Sequence, residues 1–203
     1  MKPRSEAGAE ARILDAAMEE LRKNGRRRLT VVEIAAQLGM SHANVYRYFE
    51  SKAALVDALM LRWLQPVEAE LRVIADGPDP AYDKLERLIS ALNGAYRDRL
   101  ESEPVLFQLF AESVDAARGV TRRHRLRVQS EIQRVVDEGL ATGLFAIGDQ
   151  RRALGLVYDT MHRFIHPVCV RLDAASARAP LETRRDRVMR LLLRGLQTGR
   201  MAS

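Results

Sequence analysis

Apolar residues recur along this chain at three- and four-residue intervals, and nowhere do they alternate with polar ones over a sustained stretch. Such spacing places one apolar stripe on each of a series of α-helices. A first helix is expected from about Ala7 to Asn24, with Ile13, Leu14, Ala17, Met18 and Leu21 inward and Gly25 ending it at the C′ position. Two short helices follow, Val31 to Leu38 and His42 to Phe49, separated by a turn at Gly39-Met40. A long fourth helix capped by Ser51 carries Leu55, Val56, Leu59, Met60, Trp63, Leu64, Val67, Leu71 and Ile74. Pro66 lies inside it; without an N–H it leaves the Arg62 carbonyl unpartnered, which predicts a kink.

The segment Gly77-Pro78-Asp79-Pro80 is the clearest break in the chain. Further helices are expected over about 80–101, 104–116, 120–141, 149–173 and 180–198, bounded by Pro104, Gly119, Gly143 with Gly148, and Pro180. The fold class is therefore all-α, with about nine helices. An N-terminal three-helix unit over 1–54 is followed by a larger helical unit over 55–203.

The segment from Leu29 to Leu55 is the most specific. Thr30 and Glu33 have capping-box spacing: the hydroxyl is expected to take the Glu33 amide and the carboxylate to return to the cap amide. Ala35 precedes Gly39 by four residues and Val45 follows it by six. A helix-turn-helix needs that set: a small residue where two helices touch, a glycine for the turn, and an apolar anchor on the second helix. Ile34, Leu38, Met40 and Tyr48 supply further inward positions.

Ser41 caps the second helix of the motif, so Ser41, His42, Ala43 and Asn44 point outward, where such folds meet base edges in the major groove. Asn44 has the donor–acceptor pair that matches adenine, and Arg47 suits guanine or a phosphate. His42 reaches a base or a phosphate, while Ala43 admits the backbone or touches a thymine methyl. Thr30, Tyr46, Tyr48 and Lys52 carry hydroxyls or an ammonium suited to phosphate oxygens, contacts that set register. The run Arg26-Arg27-Arg28 just ahead adds a salt-sensitive attraction.

Gly39-Met40-Ser41, Val45-Tyr46-Arg47-Tyr48-Phe49, Ser51-Lys52 and Leu55 together resemble the signature of TetR-family repressors. The resemblance covers about residues 8–60; Tyr48 stands where many members have His, and Ala53-Ala54 where many have an acid. It implies a homodimer of all-helical subunits on double-stranded operator DNA, with a pocket in the larger unit for a small-molecule effector. Binding there re-spaces the two reading heads and releases the operator.

In the larger unit Pro167 should kink the helix over 149–173, and kinked helices often line cavities. Tyr158, His162 and His166 are thus expected on one wall of an effector pocket, with Trp63, Tyr96, Phe107 and Phe110 as candidates for the others. His162 and His166 have metal-ligand spacing and Cys169 follows one turn later, but four ligands are not evident, so pocket histidines are expected and no metal or cofactor. Leu154, Val157, Met161, Ile165, Val168 and Leu172 face one side of this helix; Val188, Leu191, Leu192 and Leu196 do so on the last. With Gly155 and Gly195 permitting close approach, these two helices are expected to pair with their copies in a four-helix dimer interface.

Composition changes this picture little. The net charge of +6 favours a polyanionic partner, but residues 1–52, with ten Lys or Arg against seven Asp or Glu, hold only +3 of it. The cluster Arg122-Arg123-His124-Arg125-Arg127 is expected to be a solvated helix face, beside a core stripe of Leu126, Ile132 and Val136. One cysteine fits a reducing compartment, and no apolar run reaches the roughly 18 residues of a membrane span. The first residues read as an amphipathic stretch with acids rather than a signal peptide, so a cytoplasmic protein is expected. There is no Gly-rich phosphate loop, nucleophile elbow or His-Glu-x-x-His, so an enzyme is not expected; a protein-binding helical adaptor is the other alternative.

Overall fold

The computed structural model describes residues 4–115 and 119–199, all of whose regular structure is helical. Helix α1 (Arg4–Arg28) packs on α2 (Val31–Leu38), which meets α3 (His42–Tyr48). The long α4 (Lys52–Ala75) leads away from them into a bundle of α5 (Ala81–Ser102), α6 (Pro104–Asp115) and α7 (Gly119–Ala141). The chain then folds through α8 (Gln150–Ile165), α9 (Pro167–Leu172) and α10 (Arg178–Thr198). The boundary expected at residues 54 and 55 falls in the first turn of α4, so one continuous helix runs across it.

Gly25 interrupts α1 with φ 71° and ψ 177°, dihedrals that glycine adopts without a Cβ clash. A helix end is expected there; instead α1 is kinked at Gly25 and its helical run resumes to Arg28. The side chains of Arg26-Arg27-Arg28 lie outside the described residues.

Two prolines act differently. Helix α4 runs on without interruption across Pro66, and the Trp63 carbonyl in the preceding turn accepts a hydrogen bond from Arg99 Nη2 at 3.2 Å. The Arg99 guanidinium also lies over the Trp63 indole, 5.3 Å from its centroid, so α5 braces α4 where its own hydrogen bonding is weakened. At Pro167 the helix expected over 149–173 breaks in two. His166 takes φ −89° and ψ 122°, because the proline ring pushes the preceding residue out of the α region.

The inner faces of both units form one apolar core, from Ile13 and Leu21 through Val45, Leu55 and Leu64 to Ile89, Phe107 and Val136. Two readings of faces need correction. Leu126, expected in a core stripe, is exposed, and Val128 is buried in its place. Val157, Met161, Leu192 and Leu196, expected at a dimer surface, are fully buried inside the subunit, where α8 packs on α10. Leu172 and Leu191 do remain open, at 75% and 68% exposure. Gly195 is packed against Leu156 of the same chain, whereas a side chain at Gly155 would meet open space.

Candidate DNA interface and effector cavity

The helix-turn-helix is held by local chemistry that its sequence states almost completely. Thr30 Oγ1 accepts the Glu33 amide at 3.2 Å and starts α2. The Glu33 carboxylate closes back onto the Thr30 hydroxyl at 2.9 Å, where the capping-box pattern had it returning to the cap amide. Helix α2 ends at Gly39 in the left-handed region, φ 63° and ψ 29°. The Gly39 amide donates to the Ala36 carbonyl at 3.2 Å and the Met40 amide to that of Ala35 at 2.9 Å, which is a Schellman turn. One residue later Ser41 Oγ accepts the Asn44 amide at 3.2 Å and starts α3. Ser51 Oγ accepts the Ala54 amide at 3.1 Å and starts α4 in the same way.

Val45 is fully buried and fixes the roll of α3. His42, Ala43, Tyr46 and Arg47 are then left exposed, as two columns four residues apart on the opposite face, with Ser41 beside them. Asn44 and Tyr48 are half-buried at the edges, and Lys52 is exposed at the start of α4. The Arg47 guanidinium rests against Tyr48, donating to its hydroxyl at 3.1 Å with the ring centroid 5.2 Å away. Thr30 is half-buried with its hydroxyl hydrogen on Glu33. Thr30, Ser41, Arg47 and Tyr48, all singled out from the sequence, thus make side-chain hydrogen bonds within the chain.

A cavity of about 310 Å³ opens in the larger unit between α5, α6, α7 and α8. Five expected residues line it: Tyr96, Phe110, Tyr158, His162 and His166. Trp63 and Phe107 do not. They stack edge-on with Phe110 at 5.8 and 5.9 Å and belong to the aromatic core behind it. His124, Thr121, Arg125 and Gln129 from α7 complete much of the polar lining.

His124 was legible in the sequence only as part of a basic cluster. In the fold it is buried and central to a relay across three helices. Tyr96 on α5 lies 2.9 Å from His124 Nε2, and His124 Nδ1 lies 2.9 Å from Glu68 on α4. Arg127 donates to the other Glu68 oxygen. Burial raises the Glu68 carboxyl, but the hydrogen bonds and charges of His124 and Arg127 outweigh it and hold it below the ordinary glutamate value. An ionised Glu68 only accepts, so Nδ1 carries a proton toward it, and Nε2 shares the second hydrogen bond of the relay with the Tyr96 hydroxyl. Burial pushes the Tyr96 hydroxyl well up and that of Tyr158 up to about 12, so both stay neutral.

A measurable consequence follows for acid stability. A carboxyl lowered by folding stabilises the fold fully above its ordinary value, 4.5 for Glu68, and loses that contribution as pH falls through the lowered one. Thermal melts of Glu68→Gln should therefore fall less steeply than wild type between about pH 5 and pH 3. Parallel melting curves would show that the relay contributes nothing.

Two family descriptions match this chain. Residues 13–59 match the tetR family of bacterial regulatory proteins, and residues 81–189 match the tetracyclin repressor-like C-terminal domain. The HTH-type transcriptional regulator YvkB of Bacillus subtilis is 49% identical over 49 residues, an alignment that takes in 24% of this chain and 26% of that one. A TetR/AcrR-family regulator from Thermobifida fusca superposes with a TM-score of 0.66 at 20% identity, over 93% of this chain and 98% of its own. FadR of Bacillus subtilis, solved in complex with stearoyl-CoA, superposes with a TM-score of 0.57 at 20% identity, over 94% and 99%. The second family description alone spans more than half of the chain, which belongs to the TetR family and is a DNA-binding transcriptional regulator.

Proposed function

We propose that this regulator is a homodimeric repressor that a small-molecule effector releases from operator DNA. The observation that carries the reading is the exposed double column of His42, Ala43, Tyr46 and Arg47, set over a buried Val45 and joined by the unbroken α4 to a cavity. Residues 1–54 form the reading head, with Ser41, His42, Ala43 and Asn44 toward base edges. Thr30, Tyr46, Tyr48 and Lys52 hold phosphates, and Arg47 leaves Tyr48 to reach a base or phosphate. Residues 55–203 bind the effector and the second subunit.

The cavity lining favours an effector with an apolar body and a few hydrogen-bonding groups. Phe110, Val114, Val128 and Ile165 supply the apolar walls, and Tyr96, His124, Tyr158, His162 and His166 the polar positions. Its occupant touches Tyr96 and His124, whose relay ends on Glu68, two residues beyond Pro66 on the helix that carries the reading head. Release then follows from a shift of α4, a two-state coupling between distinct sites. Membership of a regulator family supports a binding role over catalysis. No helix among the described residues is long and apolar enough to cross a membrane.

The test is binding to DNA upstream of the protein's own gene, measured as a salt series. Affinity should fall steeply as salt rises from low to physiological strength, as counterions return to the phosphates. A footprint that never appears, or an affinity indifferent to salt, would overturn the reading.

A further inference from the structure

We propose that His162, His166 and Cys169 form a binding site for one transition-metal ion of the zinc type. One imidazole nitrogen from each histidine and the Cys169 sulfur all lie within 4.8 Å of one another. The two rings are stacked, with centroids 4.6 Å apart and planes 23° from parallel.

The convergence is a product of the break at Pro167. In one continuous helix residues 162 and 169 would lie about 10.5 Å apart along the axis, beyond the reach of a cysteine side chain. Extended backbone at His166 takes the start of α9 off the line of α8 instead, and the thiol lies within 4.8 Å of a nitrogen of each ring. Arg163, the cation nearest in sequence, is paired with Asp173 Oδ1 at 2.6 Å, and Arg125 shares the cavity lining with the two histidines.

The donor set selects the ion. Imidazole nitrogens with a thiolate favour zinc and its neighbours over magnesium or calcium, which take oxygen ligands. Metal bonds of about 2.1 Å to nitrogen and 2.3 Å to sulfur place tetrahedral donors roughly 3.5 Å apart. The three groups must therefore close by about 1 Å, a movement open to His162, which is exposed. His162 and His166 line the effector cavity and Cys169 is not part of that lining, so three protein ligands leave a fourth position for the cavity side. Metal binding here would pin α8 to α9 across their break. This inference goes beyond the repressor reading and stands without it.

The experiment is cobalt(II) titration of the reduced full-length protein, followed by zinc competition. Expected are one cobalt per chain, tetrahedral visible absorption, a thiolate-to-cobalt charge-transfer band, and displacement by one equivalent of zinc. Cys169→Ala should abolish the charge-transfer band, and His162→Gln should weaken cobalt binding by about tenfold or more. Absence of the band in wild type, or its persistence in Cys169→Ala, would overturn the site. His162→Gln alters an exposed residue, so wild-type affinity in that variant overturns it even where Cys169→Ala fails to fold. Operator binding by the metal-free protein is measured alongside: its loss speaks against the repressor reading, and loss of cobalt binding alone only against the metal site.

Discussion

Replacing Tyr46 and Lys52 together by alanine should lower operator affinity about a thousandfold and leave the fold intact. Both side chains are exposed, with Tyr46 at 50%, so neither substitution opens a cavity in the core. A dimer presents each residue twice, giving four phosphate contacts. At about 1 kcal/mol net apiece, their loss amounts to ~4 kcal/mol, or roughly three decades in affinity. Lys52→Ala alone should also reduce the slope of log affinity against log salt by about 2, one charge per subunit. The loss should be uniform over operator variants, because phosphate contacts carry no base preference. Arg47→Ala should instead alter the ranking of variants if Arg47 reads a base. Fluorescence anisotropy across a salt series measures all three. A double variant that binds as wild type would leave these faces without a role in DNA binding and favour the adaptor alternative.

That prediction rests on the part of the chain whose geometry is most local. The ends of α2 and α3 follow from Thr30, Gly39 and Ser41, each acting within five residues of itself, so the sequence states them almost to the residue. Local chemistry misled only in its last detail, the Glu33 carboxylate, which chose the Thr30 hydroxyl over the amide. The cavity was half legible. Pro167 marks the break, and with it Tyr158, His162 and His166, while its partners are joined only by tertiary packing.

Glu68 and His124 meet across 56 residues, and no periodicity in either helix announces the pairing. His124 was masked further by its four arginine neighbours, of which the structure leaves all exposed while burying the histidine. Trp63 and Phe107 show the reverse limit, since a core aromatic and a cavity aromatic carry the same helical spacing. Cys169 was read as one turn beyond His166 on a kinked helix, but the kink's direction, which decides whether the thiol meets the rings, is set by packing.

The same limit governs the proposed dimer surface, where the second large effect is expected. Helices α8 and α10 are apolar on more than one side, and only the fold decides which side faces in. Leu192 is 1% exposed and Leu191 68%, adjacent residues with opposite fates. Leu191→Glu should therefore convert the dimer to a folded monomer, whereas Leu192→Glu should prevent folding by burying a charge in the core. Across a twofold axis each dimer loses two buried leucines, about 2 kcal/mol apiece, and gains two carboxylates that must be desolvated. The dissociation constant should rise by three decades or more. Sedimentation velocity reads the oligomer and circular dichroism the fold. Operator affinity should fall with dimerisation, because a single reading head grips only half of the phosphates and half of the bases. A Leu191→Glu protein that still sediments as a dimer would move the interface off this face of α10. The open ground beside Gly155 and the 75% exposed Leu172 would then need another explanation.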